Sequence, residues 1–214
     1  MRPIAAVHAA AVAALCLAAP GAAQKSPEKI RLTARSHDGA VLIRVPVQPF
    51  GYALQFSKNG SSGFMSRVYV MGVKEGEPGY RYISRTLAPG RYRLDWMWQQ
   101  GHWTACLEKG TFEFEVVPGR IRYLGTLRAD QLLESIQARA VGEGKTAMAG
   151  AAYDVSHAAF EAPPLEDRDE SGLQSARAFA DSTMHGSAGL VELADVRKTA
   201  FGTSGLGKAI KVCG

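Results

Sequence analysis

The 214-residue chain carries 25 Lys and Arg residues against 20 Asp and Glu residues, and 46% of it is hydrophobic. This composition is typical of a folded globular protein and excludes an intrinsically disordered one. Past an apolar run of roughly 15 residues near the start, no stretch reaches the about 20 apolar residues that a membrane-spanning helix needs. We therefore expect no transmembrane segment after that run.

The first 23 residues have the order of a secretory signal peptide, with Arg2 at the head, the apolar run, and small residues before Gln24. We predict a signal peptide over residues 1–23 and a periplasmic or secreted mature protein. Cys106 and Cys213 follow it, and two cysteines in an oxidising compartment usually form a disulfide. That bond would close a loop of about 106 residues, worth on the order of 4 kcal/mol in the chain-entropy model. Two unpaired thiols are the alternative.

From residue 29 to residue 128, short runs of alternating polar and apolar residues are separated by turn-forming residues. Many short strands at such spacing are typical of a β-sandwich or barrel. The predicted strands are 29–34, 40–45, 51–57, 64–73, 79–87, 91–98, a partner strand starting at residue 102, 111–117 and 120–128. We predict a mainly β fold, with an antiparallel β-sandwich domain over residues 24–128.

All three tryptophans of the chain lie around one predicted hairpin. A two-residue turn at 100–101 would place Trp98 opposite Trp103 and put both rings on the face of Trp96. Each buried aromatic ring removes roughly 150–250 Å² from water, so we favour a core role for the three rings. The alternative hypothesis is a ligand-stacking platform formed by Trp98, Trp103 and His102 at the hairpin tip.

The pattern changes after residue 128. Apolar residues at helical spacing predict amphipathic helices over 129–140 and 170–184, and short strands are predicted at 189–196 and 208–214. We predict that residues 129–214 form an α+β extension packed against the sandwich, with 142–160 as either helix or strand.

The hairpin register above also puts Cys106 opposite Asp95 on the outer face of the sheet, so the disulfide would bring the C-terminal segment over that face or along its edge.

Charge is distributed unevenly between these two parts. Residues 24–128 carry 16 Lys and Arg against 8 Asp and Glu, whereas residues 129–214 carry 8 against 12. Such polarity indicates either an anionic partner, such as a lipid headgroup or a cell-wall polymer, or two parts that pack on each other. We favour packing. A nucleic-acid partner is not expected, because the arginines form no basic tract and the compartment is wrong.

Motifs for catalysis and cofactors are weak. The stretch GTSGLGKA at 202–209 approaches a phosphate-binding loop, but Ala209 stands where a Ser or Thr hydroxyl would hold magnesium. The histidines show no metal-ligand spacing, so we predict neither a metal site nor a cofactor. Helical spacing would put Asp154 and His157 on one face, where they could serve as an acid/base pair. They carry the alternative hypothesis of a hydrolase-like envelope enzyme with its site between sandwich and extension.

Two short stretches, LAPGRY at 87–92 and FEVVPGRIRYLG at 114–125, carry the spacings L-x-P-G-x-Y and F-x-V-x-P-G-x-x-x-Y-L-G. They resemble a pattern found in exported bacterial proteins of unassigned function that share a small β-sandwich. The resemblance covers roughly residues 30–128. It implies a prealbumin-like or immunoglobulin-like sandwich and an envelope location, and it offers no catalytic residues to carry over.

The sequence therefore predicts an exported cell-envelope protein of non-enzymatic function. We expect an accessory or binding module that recognises a protein, a glycan or a lipid headgroup through its loops or an open sheet edge.

Overall fold

The computed structural model describes residues 30–47, 52–59, 67–70, 73–75, 77–99, 103–142, 153–185 and 187–200. The predicted signal peptide, His102, the glycine-rich stretch at 202–209, the predicted strand at 208–214 and Cys213 lie outside these ranges. No helix within the described ranges has the length and apolar character to cross a membrane.

The chain is mainly β, as its alternating pattern predicts. The described strands are β1 (Gly39–Pro46), β2 (Ala53–Lys58), β3 (Arg67–Val70), β4 (Val73–Glu75), β5 (Tyr80–Leu87), β6 (Gly90–Gln99), β7 (Trp103–Val116), β8 (Ile121–Leu127), β9 (Tyr153–Glu161), β10 (Leu165–Glu166), β11 (Val191–Leu193) and β12 (Val196–Thr199). The described helices are α1 (Ala129–Gly142), α2 (Glu170–Thr183) and a short 3-10 helix (Ser187–Leu190).

Both helices lie where apolar residues recur at helical spacing, and α2 shows why. Asp169 caps it by accepting a hydrogen bond from the Gly172 backbone N–H at 2.9 Å, which satisfies one of the free donors of the first turn. Leu173, Ala176 and Ala180 then form a buried stripe along the helix.

Three predictions about local structure are wrong. The predicted strand at 29–34 is irregular over its described part, and the two strands predicted between 102 and 117 form the single strand β7. Residues 153–161 form β9, so the helical spacing that was to bring Asp154 and His157 to one face does not apply there. The geometry on which the acid/base pair depended is therefore absent.

The strands form two six-stranded sheets. The first has the order β10-β8-β1-β5-β4 with β11 also on β8, and the second has the order β12-β7-β6-β2-β3 with β9 also on β7. Most pairings are antiparallel, as predicted, but β8 pairs parallel with β1 and β11, and β7 pairs parallel with β9. Parallel pairs need crossover connections, and long segments of chain separate the members of each of these pairs.

One apolar cluster contains buried side chains from both sheets and from α1. Representative members are Ile43, Ile83, Leu94, Phe114, Leu124 and Ile136. A second cluster joins the other face of the first sheet to α2, where the rings of Tyr82 and Phe179 stack with their centroids 4.1 Å apart. These two clusters hold the sheets and helices in place around the groove described below.

The strands that follow residue 128 pair with the outer edges of two earlier strands. β9 and β12 pair with successive parts of β7, and β11 and β10 pair with successive parts of β8. Unpaired sheet edges invite aggregation, and these short strands cover two of them.

Ion pairs also connect the basic and acidic parts of the chain. Each joins an arginine from residues 24–128 to a carboxylate from residues 129–214. Such pairs include Arg44–Asp167 at 3.2 Å, Arg128–Glu166 at 2.8 Å and Arg122–Glu192 at 3.0 Å. These ion pairs support the interpretation that part of the uneven charge reflects packing between the two parts of the chain, and not an external partner.

Candidate ligand-binding groove

The hairpin between β6 and β7 has a register one residue away from the predicted one. Trp103 lies opposite Gln99, and Trp98 lies opposite Thr104. Three residues, 100–102, separate the last pair instead of the two that the prediction assumed. Opposed residues share a face and neighbours along a strand alternate, so Trp98 and Trp103 lie on opposite faces.

A β-bulge at Asp95 changes the buried face of β6. Across from β2, Phe56 pairs with Leu94 and Gln55 pairs with Trp96, which leaves Asp95 as the extra residue. Leu94 and Met97 are fully buried, whereas Trp96 is half-buried. The bulge therefore puts Leu94 and Trp96 on opposite faces of the strand, where plain alternation would put them on the same face. The Asp95 carboxylate is 5% exposed and accepts hydrogen bonds from Ser57 and, at 2.7 Å, from Arg93 Nε.

The tryptophans divide between core and surface. Trp103 is 3% exposed and belongs to the cluster that contains side chains of both sheets, which confirms the core role for this ring. Trp96 packs against the same cluster, and Trp98 is half-buried. A stacking platform that pairs Trp98 with Trp103 has no support from this register, and a ligand contact by Trp98 and His102 stays a prediction. Cys106 is fully buried and lies opposite Trp96, not Asp95 as predicted.

A groove of about 620 Å³ opens where β7 passes from one edge partner to the next. β9 pairs with β7 as far as Gly110, and β12 pairs with it from Thr111 onward. The first turns of α1 and the segment 160–168 form the remaining walls. Small-molecule sites typically enclose roughly 300–1,000 Å³, so this groove has the size of a ligand site.

The floor of the groove is apolar. Phe112, Leu132 and Phe160 are 5%, 5% and 9% exposed and belong to the cluster that contains side chains of both sheets. Ala162 and Leu165 are half-buried and pack against that cluster from the wall. Two backbone hydrogen bonds fix this wall, from Ala162 N–H to the carbonyl oxygen of Gly110 at 2.7 Å and from Arg128 N–H to that of Pro164 at 3.1 Å.

Among the described residues, three charged side chains line the groove, two cations and one carboxylate: Arg168, Lys198 and Glu161. Arg168 is half-buried, and its guanidinium donates hydrogen bonds of 2.7 Å to the carbonyl oxygens of Leu124 and Ala194. Loss of hydration on burial lowers the pKa of Arg168, against the opposing effect of the Asp195 carboxylate. An arginine nevertheless stays protonated in proteins, so its charge is permanent.

The other polar groups of the lining are mostly engaged with the chain. Thr111 donates its hydroxyl to the Leu94 carbonyl oxygen, and Ser135 donates to that of Gln131 at 2.9 Å. By contrast, two carbonyl bonds use only two of the five N–H donors of Arg168. Among the described lining residues there is no histidine or cysteine. The arrangement can therefore bind by apolar burial and by positive charge.

Sequence reasoning missed this groove. The segment 161–170, EAPPLEDRDE, has the composition of a polar loop, and Arg168 stands within its run of acidic residues. The sequence does offer one signal: Arg168 is a single cation among five carboxylates, next to a pair of prolines. Only the fold shows that the Arg168 side chain turns inward to β8. The two hydrogen-bond partners of Arg168, Leu124 and Ala194, come from distant parts of the chain.

Comparisons with known proteins add no family. No protein-family model and no curated protein matches the chain. Among solved structures, a leucine-rich repeat protein from Bacteroides thetaiotaomicron VPI-5482 is similar over 48% of this chain and 16% of its own, with 12% sequence identity and a TM-score of 0.29. A likeness of that size carries no argument about fold or function.

Proposed function

We propose that the protein is an exported binding module of the cell envelope and that the groove beside β7 is its ligand site. The observation that carries the proposal is a groove with the volume of a ligand site, which has an apolar floor and the half-buried Arg168 in its wall. Concave, mostly apolar sites with a few fixed polar groups are the usual form of small-molecule sites.

The architecture belongs to the same proposal. The two sheets face each other as a β-sandwich, and residues 129–214 are the extension that packs against it. The shared apolar cluster and the ion pairs between the two parts support this arrangement. The resemblance of 87–92 and 114–125 to exported sandwich proteins of unassigned function supports the envelope location, as does the signal-like leader.

Binding fits the groove better than catalysis. Acid/base chemistry near neutral pH needs a group whose pKa lies close to the working pH, and nucleophilic catalysis needs an activated nucleophile beside a base. The charged lining residues are two cations and the exposed carboxylate Glu161. The groove does lie between sandwich and extension, where the enzyme hypothesis put its site, but those groups suit recognition.

A substitution that fills the groove tests the proposal. The fluorescent probe 1-anilinonaphthalene-8-sulfonate, which brightens in apolar surroundings, is titrated into the full chain and into Ala162→Phe. Ala162 lies in the wall, so the added ring occupies the groove. We expect saturable binding by the parent and its loss in Ala162→Phe, with circular dichroism unchanged.

The exposed Ala34 provides the matched control, since Ala34→Phe adds the same ring at a residue that does not line the groove. Equal binding by the parent and both variants would contradict the groove as ligand site. The envelope location has its own test: amino-terminal sequencing of the protein from a periplasmic fraction is expected to begin at Gln24, and a cytoplasmic protein that begins at Met1 would contradict it.

A further inference from the structure

We infer that the ligand of the groove is an anionic amphiphile, a single apolar chain that ends in a carboxylate, as in a fatty acid. The inference rests on the proposed function and names its ligand class. The apolar chain would lie on the floor of Phe112, Leu132 and Phe160, and the carboxylate would lie against Arg168 and Lys198.

Charge complementarity supports an anionic head. Arg168 is held by the carbonyl oxygens of Leu124 and Ala194, which orient its guanidinium without neutralising it. Within the described residues neither Arg168 nor Lys198 forms an ion pair, although many other arginines of the chain do. A half-buried guanidinium with donors to spare favours a carboxylate over a neutral head.

The scarcity of free hydrogen-bonding groups argues against a peptide. A bound peptide brings a polar backbone that needs partners, usually along an open sheet edge. Here β9 and β12 already occupy the edge of β7, and the hydroxyls of Thr111 and Ser135 donate to chain carbonyls. An apolar chain has no such requirement, and its one polar group would meet the two cations of the lining, Arg168 and Lys198.

A matched pair of ligands tests this class. Dodecanoate and dodecanol share the same chain and differ in the charged head, and each is titrated into the full chain as a competitor of the fluorescent probe. We expect dodecanoate to bind about tenfold more tightly, because a hydrogen bond between charged groups is roughly twice as strong as a neutral one. Equal competition by dodecanoate and dodecanol would overturn the inference that the ligand has an anionic head, but it would not contradict the proposal that the groove is a ligand site.

Two exposed residues provide variants that keep the fold. Lys198→Gln removes a cation and is expected to weaken dodecanoate a fewfold, whereas Glu161→Gln removes a repelling carboxylate and is expected to strengthen it by a similar factor. Neither variant should change dodecanol. Arg35→Gln, which removes an exposed cation elsewhere, should change neither ligand.

The opposite shifts separate the outcomes. If Lys198→Gln and Glu161→Gln leave dodecanoate unchanged while Ala162→Phe abolishes it, the head does not contact this wall and the inference is wrong. If neither the probe nor either competitor binds the parent, the proposed function fails as well.

Discussion

The carbonyl oxygen of Asp167 lies 2.0 Å from the position that a Cβ atom on Gly172 would occupy. Asp167 has a left-handed backbone with φ of 50°, and its carboxylate lies 3.2 Å from Arg44. The next residue, Arg168, is held by carbonyl oxygens of two neighbouring segments. The start of α2 and the cationic wall of the groove are therefore one tightly fitted unit.

Gly172→Ala tests this fit. The added Cβ meets backbone atoms that no rotamer change can move, so the start of α2 must shift, and we expect a loss of about 2 kcal/mol or more in the free energy of unfolding. Gly142→Ala at the end of α1 is the control, because nothing lies within 4 Å of its added Cβ. Urea unfolding of the two variants gives the comparison, and equal stabilities would contradict the fit.

The two hairpin tryptophans should differ in their effect on stability. Trp103→Ala empties a site that is 3% exposed, and such truncations cost about 3–5 kcal/mol. Trp98→Ala removes a half-buried ring on the opposite face, so its cost should be at most half as large. Thermal or urea unfolding measures both, and a larger loss for Trp98→Ala would show that the register described here is wrong.

The hairpin shows how far sequence periodicity reaches. Strand positions for β1, β5, β6 and β8 follow from short apolar-rich runs bounded by turn-forming residues. The inner face of β6 does not follow, since the bulge at Asp95 and the pairing of Gln99 with Trp103 each shift the pattern by one residue. A one-residue shift moves every following side chain to the other face.

The groove could not be predicted for a different reason. Its lining comes from β7, α1, the segment 160–168 and β12, which meet only because late strands pair with the edges of early ones. Alternation indicates that a segment is a strand, but it does not name the edge on which that strand lies. Parallel pairing of β9 with β7 was likewise outside any local signal.

The disulfide between Cys106 and Cys213 stays a prediction, and intact mass measurement with and without reduction tests it. We expect the oxidised mass, with one bridged peptide containing both cysteines after proteolysis. Reduction should lower the free energy of unfolding by about 4 kcal/mol, since the bond closes a loop of about 106 residues. Two free thiols that react with iodoacetamide in the unfolded, unreduced protein would contradict it.

Stability should fall at high pH because of buried tyrosines. Burial, together with the Glu77 carboxylate, raises the pKa of Tyr82, and burial also raises that of Tyr123. A phenol whose pKa is higher in the folded state than in the unfolded state makes its full contribution to stability below the unfolded-state pKa of about 10. This contribution is lost as the pH rises past that pKa.

Tyr82→Phe isolates this effect. The Tyr82 hydroxyl is buried with no hydrogen-bond partner among the described residues, so its removal should leave stability near pH 7 equal or up to about 1 kcal/mol higher. Near pH 11 the advantage of the variant should grow. Urea unfolding at the two pH values measures it, and a difference that does not change with pH would refute this account.

The most direct measurement of the central claim, that the groove beside β7 is a ligand site, is native mass spectrometry with dodecanoate in slight excess. The account predicts a complex of one protein and one dodecanoate for the parent chain and for Ala34→Phe, and no complex for Ala162→Phe. A parent chain that binds no dodecanoate, or an Ala162→Phe variant that binds it as well as the parent does, would contradict the claim.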